Sequence, residues 1–197
     1  MTKINISDDF IISGINTYIL PFTIEHARSE QYLKWLRDYD VIKSLNLLSY
    51  IEKPVSKHEL EDYYNTIKKD NNVLFFALYN KENDNFIGTV KVSKIDLNLQ
   101  MSDIGIMIGE KKDWGHGFAQ DILRPVCAYL FNQYNFRKLT CGMMAINPAM
   151  QKVFEKLGFK VEGVFRKIDY FEGDYVDHVF MGCFKSEFIK YQRNNKS

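Results

Sequence analysis

The stretch from residue 103 to residue 119 combines residue types that suit the binding of a phosphate group. A predicted strand ends near Gly109, and the sequence Trp114-Gly115-His116-Gly117-Phe118-Ala119 then opens a predicted helix. The glycines allow a tight turn and a close approach of the backbone to a ligand. The free N–H groups of a helix N-terminus favour an anion such as pyrophosphate. A turn without any ligand is the alternative, and the Walker and complete GxGxxG patterns of ATP and NAD sites are absent.

The elements that must position this loop follow from the spacing of apolar residues. Strands are predicted at residues 18–21, 73–79, 86–96, 103–109, 138–144, 160–171 and 174–184. Helices are predicted from Thr23 through Leu36, from Ser56, at 117–134, and from Asn147 to Gly158. Pro125 is expected to kink or shift the third helix, because it removes a backbone donor. Alternation in the third strand predicts Ile87 on the face opposite Val90.

This order of elements predicts a mixed α/β fold. The sheet is expected to be mixed and mostly antiparallel, twisted, and flanked by about four helices. The strands on either side of the helix at 117–134 are expected to be parallel, because a helical crossover joins them. At 197 residues the chain is long enough for one large domain. We therefore predict a single domain over 1–197, with its core at about 18–184 and short extensions at both ends.

Composition excludes several classes of protein. The formal net charge is +1, whereas a general nucleic-acid binder normally carries a basic excess. Apolar runs are far shorter than the roughly 18 residues that a membrane span needs, and the N-terminus does not resemble a signal peptide. The three cysteines, Cys127, Cys141 and Cys183, are widely spaced. They predict reduced thiols in a cytoplasmic protein, without a disulfide framework or a metal site.

A second segment makes the phosphate motif more specific. Residues 147–159 read NPAMQKVFEKLGF, a capped amphipathic helix, and the chain closes with a hairpin that contains FEGDYVDHVFMG. Together with WGHGFA, these segments resemble the GCN5-related N-acetyltransferase (GNAT) superfamily. The similarity is greatest to its branch of ribosomal-protein alanine, polyamine and amino-sugar acetyltransferases. It runs over about residues 18–184, and it implies a GNAT-type domain that uses acetyl-CoA as co-substrate and no metal.

The resemblance also implies where acetyl-CoA binds. The family's Gln/Arg-x-x-Gly-x-Gly/Ala motif falls on residues 114–119, with Trp114 in place of the usual Gln or Arg. Phosphates are expected on backbone N–H groups of 115–120, and the pantetheine arm along the preceding strand. Asn147 is expected to contact the cofactor arm, with Phe154 close to the sulfur. The implied cofactor contacts are Met107, Ile108, Gly109, Trp114, Gly115, His116, Gly117, Phe118, Ala119, Gln120, Asn147, Met150, Phe154 and Lys156.

The reaction implied by this resemblance needs a base and an oxyanion donor. A protonated amine cannot attack a thioester, so its proton must first be removed. Asp103 matches a strand carboxylate that serves as base in part of the superfamily, although a solvated strand-end role is the alternative. The backbone N–H of Met107 or Ile108 is the expected oxyanion donor. The family's usual general acids, a Tyr at the Phe154 position or a Ser at the Met150 position, are absent. Water is then the expected proton donor.

Other reactive or aromatic residues are expected to have structural or solvent-facing roles. His116 is expected to contact phosphate or solvent, and Cys141 to be a small buried hydrophobe. Asp177 and His178 point to opposite faces of one strand, so only one can face a cleft, and core or surface roles are predicted for both. Trp35 is expected to pack a helix on the sheet. Hairpin packing is predicted for Tyr170, Phe171 and Tyr175.

The predicted function is acetyl transfer to the primary amine of a small molecule, and the pattern most resembles members that acetylate nucleotide-linked amino sugars. The loop at about 45–54 and the closing hairpin are expected to hold the acceptor, with Arg166 and Lys167 able to meet a phosphate. A protein N-terminal or polyamine acetyltransferase is the alternative. The hairpin offers carboxylates for a polyamine, at Glu162, Asp169, Glu172, Asp174 and Asp177. A catalytically silent acetyl-CoA-binding module is the further alternative, and a homodimer is possible.

Overall fold

A computed structural model describes residues 4, 6–45, 47 and 49–194 of the chain. Within them, eight strands form one sheet. The strands are β1 Ile12–Ser13, β2 Thr17–Pro21, β3 Leu74–Asn80, β4 Asn85–Asp96, β5 Met101–Ile108, β6 Lys138–Met144, β7 Lys160–Phe171 and β8 Asp174–Phe184. The helices are α1 Ile24–Arg28, α2 Glu30–Trp35, α3 Tyr39–Ile42, α4 Ser49–Glu52, α5 Lys57–Lys69, α6 Phe118–Gln133, α7 Pro148–Glu155 and α8 Lys185–Asn194. None of these helices is both long and apolar enough to cross a membrane.

The sheet has the order β1-β2-β3-β4-β5-β6-β8-β7. Its only parallel pair among these strands is β5 with β6, which α6 connects. All other neighbours are antiparallel. The structure therefore confirms a mixed, mostly antiparallel sheet and the parallel pair around the third predicted helix.

Two helical layers cover opposite faces of this sheet. Helices α6, α7 and α8 pack on one face around residues such as Ile122, Leu157 and Phe188. Helices α1, α2, α3 and α5 pack on part of the other face. Trp35 belongs to this second layer and is buried against Gly109, where an added Cβ would lie 2.1 Å from the indole. The prediction that Trp35 packs a helix on the sheet is confirmed.

The structure adds short helices to the four that we predict. The predicted helix from Thr23 divides at Ser29, whose extended backbone ends α1 and whose Oγ accepts the Tyr32 N–H that begins α2. Helices α3 and α4 span only four residues each, too few for a helical period to be recognisable in the sequence. Helix α8 follows β8. Of the predicted acceptor loop 45–54, residues 46 and 48 lie outside the described residues.

Strand β4 contains a bulge that reverses one sequence prediction. Phe86 pairs with Tyr79 and Gly88 with Leu78, so Ile87 is an extra residue between two registered pairs. An extra residue switches the side-chain alternation. Ile87 therefore lies in the same core cluster as Val90, and the prediction that the two face opposite sides is wrong.

Helix α6 continues through Pro125 as one element. Proline cannot donate to the carbonyl of Asp121 one turn earlier, and the β1–β2 turn packs there instead. A Cβ on Gly14 would lie 2.8 Å from that carbonyl oxygen. The Asp121 carboxylate accepts hydrogen bonds from three backbone N–H groups and one hydroxyl of residues 15–17, at 2.6–3.0 Å. These contacts attach the first hairpin to the start of α6.

Candidate active site

The centre of the sheet opens into a V-shaped gap between β5 and β6. The two strands pair only at Met101–Lys138, Ser102–Leu139 and Asp103–Thr140. Beyond Asp103, β5 continues paired with β4 alone, and β6 continues paired with β8 alone. No described strand fills the space between residues 104–108 and 141–144. Backbone groups that face such a space are free to bind a ligand that lies along the strand edge.

The β4 bulge attaches the far end of β5 to β4. The Ile87 carbonyl accepts hydrogen bonds from the N–H groups of Gly109, at 2.9 Å, and Glu110, at 3.3 Å. These bonds fasten the chain to β4 at the point where β5 ends. The gap is therefore widest next to the loop that leads into α6.

Glycines are required in that loop by its backbone conformation. Gly115 and Gly117 both have φ of +80°, in the left-handed region that other residues rarely adopt. A Cβ at either position would meet no atom within 4 Å, so steric crowding is not the reason. Gly117 is the N-cap of α6, and its carbonyl accepts the Asp121 N–H. The N–H groups of Phe118, Ala119 and Gln120 precede this bond and form the first turn, which suits an anion.

Trp114 fastens this loop to the gap. Its Nε1 donates a hydrogen bond to the Ile108 carbonyl at 2.8 Å, while 41% of the residue stays exposed. The indole thus connects the glycine loop to the last residue of β5. The replacement of Gln or Arg by Trp114 is visible in the sequence, whereas the contact with Ile108 is not. His116 is exposed, with its ring 5.8 Å from that of Phe118.

Removing the Trp114 donor should weaken acetyl-CoA binding. Trp114→Phe keeps an aromatic side chain at this position, whereas the bond to the Ile108 carbonyl is lost. A neutral hydrogen bond contributes about 1 kcal/mol net, so we expect a roughly 3- to 10-fold higher dissociation constant in calorimetry. The kcat at saturating acetyl-CoA should be nearly unchanged. An unchanged dissociation constant would show that the indole does not order the loop.

Asp103 lies at the vertex of the gap. Its Oδ2 accepts a hydrogen bond from Thr140 Oγ at 3.0 Å, and the side chain is half-buried. Burial raises the pKa of this carboxyl above its ordinary value, although Lys94, Thr140, His178 and Lys91 oppose the shift. A solvated strand end would not be desolvated in this way. A partly desolvated carboxylate beside an open gap is suited to accept a proton.

The sheet face that carries Asp103 forms an open floor around it. Gly105 and Gly142 lie two residues further along β5 and β6, and both lack a side chain above the sheet. A Cβ at Gly105 would meet no atom within 4 Å. Met107 is on the same face, buried against the second helical layer. The floor therefore leaves space for a substrate beside Asp103.

His178 of β8 faces this floor with 20% of its side chain exposed, and its predicted core or surface role stays a prediction. Its Nδ1 lies 2.7 Å from Asp169 Oδ2 of β7. A Cβ on Gly142 would lie 2.6 Å from its Nε2, so the ring extends over that glycine. Asp177 points to the opposite side of the sheet, and its Oδ1 accepts the Lys167 N–H at 2.9 Å. Only one of the two neighbours faces the cleft, as expected, and it is the histidine.

The residues predicted on α7 have structural contacts. The Asn147 side chain caps the helix by accepting the Met150 N–H at 3.1 Å. Phe154 is 2% exposed, with its ring 5.0 Å from that of Phe159, and Met150 packs against the same core. Lys156 is exposed at the end of the helix. Their contacts with the cofactor stay predictions.

The closing hairpin and α3 meet at the rim of the cleft. The Tyr39 hydroxyl donates to the Glu172 carboxylate, which connects α3 to the β7–β8 turn. The exposed rings of Tyr170 and Tyr175 pack edge to face across the hairpin at 5.4 Å. Among the described residues, no group of three His, Cys, Asp or Glu side chains is arranged to hold a metal ion. Cys141 is buried, as predicted.

Comparison with known proteins agrees with this geometry. The family model described as "Acetyltransferase (GNAT) domain" matches residues 17–160. A probable N-acetyltransferase of Bacillus subtilis, YjcK, is 25% identical over 85% of this chain and 93% of its own. An uncharacterized N-acetyltransferase of Bacillus licheniformis, p20, is 24% identical over 77% and 84%.

A solved structure has the same fold. Spermidine N-acetyltransferase from Vibrio cholerae, in complex with CoA and spermine, superposes with a TM-score of 0.76 at 23% identity, covering 88% of this chain and 98% of its own. The family match covers most of the chain and includes the gap, the glycine loop and Asp103. The chain therefore belongs to the GNAT family of acetyltransferases, and it is an acyltransferase that uses acetyl-CoA.

Proposed function

We propose that the protein transfers the acetyl group of acetyl-CoA to a primary amine of a small molecule, by direct attack within a ternary complex. One observation carries this proposal: the gap between β5 and β6 has the glycine loop of α6 at its wide end and Asp103 at its vertex. A substrate that lies along β5 can bind an anionic group at the helix N-terminus and bring its other end near the carboxylate.

The phosphates of acetyl-CoA are assigned to the backbone N–H groups from Gly115 to Gln120, with the exposed His116 beside them. The pantetheine arm is assigned to the edge of β5 at Met107, Ile108 and Gly109. This edge has no strand partner among the described residues on its β6 side. The Ile108 carbonyl accepts the Trp114 indole N–H and the Gly109 N–H donates to Ile87, so the backbone groups without such a partner are left to bind an extended arm. The helix N-terminus supplies partial positive charge for the phosphates.

Asp103 is assigned as the group that takes the first proton from the acceptor ammonium. Its raised pKa makes the carboxylate a better proton acceptor than an exposed aspartate. The backbone N–H of Met107 or Ile108 is assigned to the carbonyl oxygen as negative charge develops there. Of the two, the Ile108 N–H faces away from β4, because N–H groups alternate along a strand and the next one, of Gly109, donates to Ile87 of β4.

Charge around the cleft favours a cationic acceptor. Asp103 and Asp169 lie on the floor side, and Glu172 lies at the rim. Of the lysines on this face, Lys138 is neutralised by Glu162 at 2.7 Å, whereas Lys91, which donates to the Tyr63 hydroxyl at 3.0 Å, and Lys94 keep their positive charge, so the carboxylates outnumber the unneutralised lysines by three to two. A polyamine is therefore the acceptor class that the geometry supports best. The Vibrio cholerae neighbour, a spermidine acetyltransferase, is in agreement.

A nucleotide-linked amino sugar is the second candidate. Arg166 and Lys167 are exposed in an irregular part of β7, where they are accessible to a phosphate-bearing substrate. This observation keeps the acceptor class favoured by sequence analysis as an alternative. The two classes differ in charge, so an acceptor panel separates them.

The test is thiol release from acetyl-CoA by the purified protein. The panel holds spermidine, spermine, nucleotide-linked amino sugars, aminoglycosides and peptides with free N-termini. We expect the highest kcat/KM with a polyamine. A preference for nucleotide-linked sugars would contradict the polyamine as acceptor but would support acetyl transfer to an amine. Acetyl-CoA binding without turnover on any amine would contradict the proposal in favour of a silent binding module.

Two further properties belong to this proposal. The buried, unpaired thiols of Cys127, Cys141 and Cys183 suit a reducing compartment such as the cytoplasm. A homodimer is supported by the edge strand β7, which exposes Val161, Val164, Phe165 and Ile168. Apolar residues along a sheet edge favour pairing with another chain.

A further inference from the structure

The hydrogen-bonded pair of His178 and Asp169 has no part in the mechanism described above. The pair is mostly buried, with side-chain exposures of 20% and 11%, and its Nδ1–Oδ2 distance is 2.7 Å. No described residue forms a hydrogen bond with the other ring nitrogen, Nε2. A carboxylate that accepts the Nδ1 proton leaves Nε2 of a neutral imidazole as the acceptor. This arrangement resembles one used for proton transfer.

Two local features of the sheet bring the pair to the cleft floor. Between the pairs Phe165–His178 and Asp169–Val176, β7 has three residues where β8 has one. This irregularity puts Asp169 diagonally across from His178 on the same face. Gly142 provides the second feature, because any side chain there would collide with the imidazole. The ring thus lies over the exposed backbone of β6, which borders the gap.

The same face carries Asp103. Gly142 follows Thr140 by two residues on β6, and Thr140 donates to Asp103. His178 is also close enough to Asp103 to oppose the rise in the pKa of that carboxyl that burial causes. The charged groups on this side are Asp169 from β7, Asp103 from β5, Lys91 and Lys94 from β4, and the Lys138–Glu162 pair of β6 and β7.

Acetyl transfer to an ammonium group requires more than one proton transfer. The ammonium loses one proton before attack, and the adduct nitrogen loses a second before the amide forms. The sulfur gains one proton when the C–S bond breaks and its electron pair moves to sulfur. Asp103 accounts for the first of these protons. Phe154 and Met150, at the positions where relatives carry Tyr or Ser, have no proton to donate.

We propose that His178, held by Asp169, carries the second proton from the adduct nitrogen to the leaving thiolate. Nε2 accepts the proton as the nitrogen becomes an amide, and returns it to sulfur as the C–S bond breaks. The products are the amide and coenzyme A thiol, and the proton on Asp103 leaves to water, so charge and atoms balance. Asp169 is a positioning residue that keeps Nε2 directed at the cleft. The inference rests on the proposed acetyl transfer.

The test compares His178→Gln with the wild type, using spermidine or the panel amine that the wild type acetylates fastest. We expect kcat to fall about 100-fold or more, the range of general acid–base catalysis, with an unchanged acetyl-CoA dissociation constant in calorimetry. The ratio of wild-type kcat to variant kcat should decrease at least tenfold between pH 7 and pH 9. Hydroxide then replaces the base, and a thiol of pKa about 8.5 leaves without a proton. If His178 had only a structural role, this ratio of the two kcat values would not depend on pH.

His58→Gln is the matched control, because His58 and Asp62 form another histidine–aspartate pair, on exposed α5 at 3.6 Å. It should retain full activity. Asp169→Asn keeps the size of the positioning residue, and we expect it to lower kcat with the same pH trend even if His178→Gln proves unstable. If the wild type acetylates the amine and both His178→Gln and Asp169→Asn keep a kcat within threefold of it, the proposed proton transfer by His178 is overturned and the proposed function is not. If the wild type is inactive on every amine, the proposed function is overturned, and so is the proton transfer by His178 that rests on it.

Discussion

Replacing Gly117 with aspartate is expected to abolish measurable acetyl-CoA binding. The substitution puts a carboxylate at the N-terminus of α6, where the phosphates are assigned, and the two negative groups would compete for the same N–H donors. We expect the dissociation constant to rise by more than about 100-fold, which corresponds to at least roughly 2.7 kcal/mol. Calorimetric titration with acetyl-CoA measures this directly.

Gly117→Asn is the matched control for this change. Asparagine has nearly the same size and tolerates the left-handed conformation at φ +80° about as well as aspartate. Asparagine adds no charge, so the acetyl-CoA dissociation constant of this variant should be at least tenfold lower than that of the aspartate variant. Both variants should unfold within about 1 kcal/mol of each other, because each residue is a good N-cap. Equal affinities for the two variants would contradict the phosphate assignment.

The elements that position the site could largely be predicted from the sequence, since their signals are local. The glycine loop, the long helix after it and strand β6 each depend on residues adjacent in the chain. Asp103 is singled out only through the resemblance to the family, in which part of the members carry a carboxylate base at this strand position. The short helices α3 and α4 could not be predicted, because four residues show no period.

The features that the sequence did not predict depend on the register between strands. The extra residue Ile87 in β4 and the irregular stretch of β7 before Asp169 appear only when the partner strands are aligned. Each has a consequence for the site. Ile87 holds the end of β5, and the β7 irregularity places Asp169 against His178. A one-residue change of register reverses every side chain that follows, so period alone cannot decide which face a late residue such as His178 occupies.

The other large effect is expected for Asp103→Asn, which should lower kcat about 100- to 10,000-fold, the contribution of a general base. Asparagine keeps an oxygen that can accept the Thr140 hydroxyl, so the local hydrogen bond survives. Acetyl-CoA affinity should be nearly unchanged, because the assigned cofactor contacts begin at Met107. Steady-state kinetics with the best acceptor and calorimetry measure the two quantities. Asp62→Asn, on exposed α5, is the control and should have wild-type kcat.

The same substitution should not destabilise the fold at neutral pH. Burial raises the pKa of Asp103, so the folded state holds this proton more tightly than the unfolded state does. Stability from this group is therefore highest below the unfolded pKa and is lost as pH rises through the folded pKa. Above the folded pKa the ionised carboxylate lowers the free energy of unfolding, and asparagine removes that effect. Denaturation should show a variant at least as stable as the wild type at pH 7, with the difference vanishing in acid.

A loss of kcat together with retained or increased stability would separate catalysis from structure at this position. A residue that serves only packing or strand pairing is expected to lose stability when it is changed. Burial raises the pKa of Asp103, and the proposed role as base near the thioester would account for keeping a carboxyl there. Unchanged kcat in a stable variant would instead show that the first proton leaves by another route, with the His178–Asp169 pair as the remaining acceptor on the cleft floor.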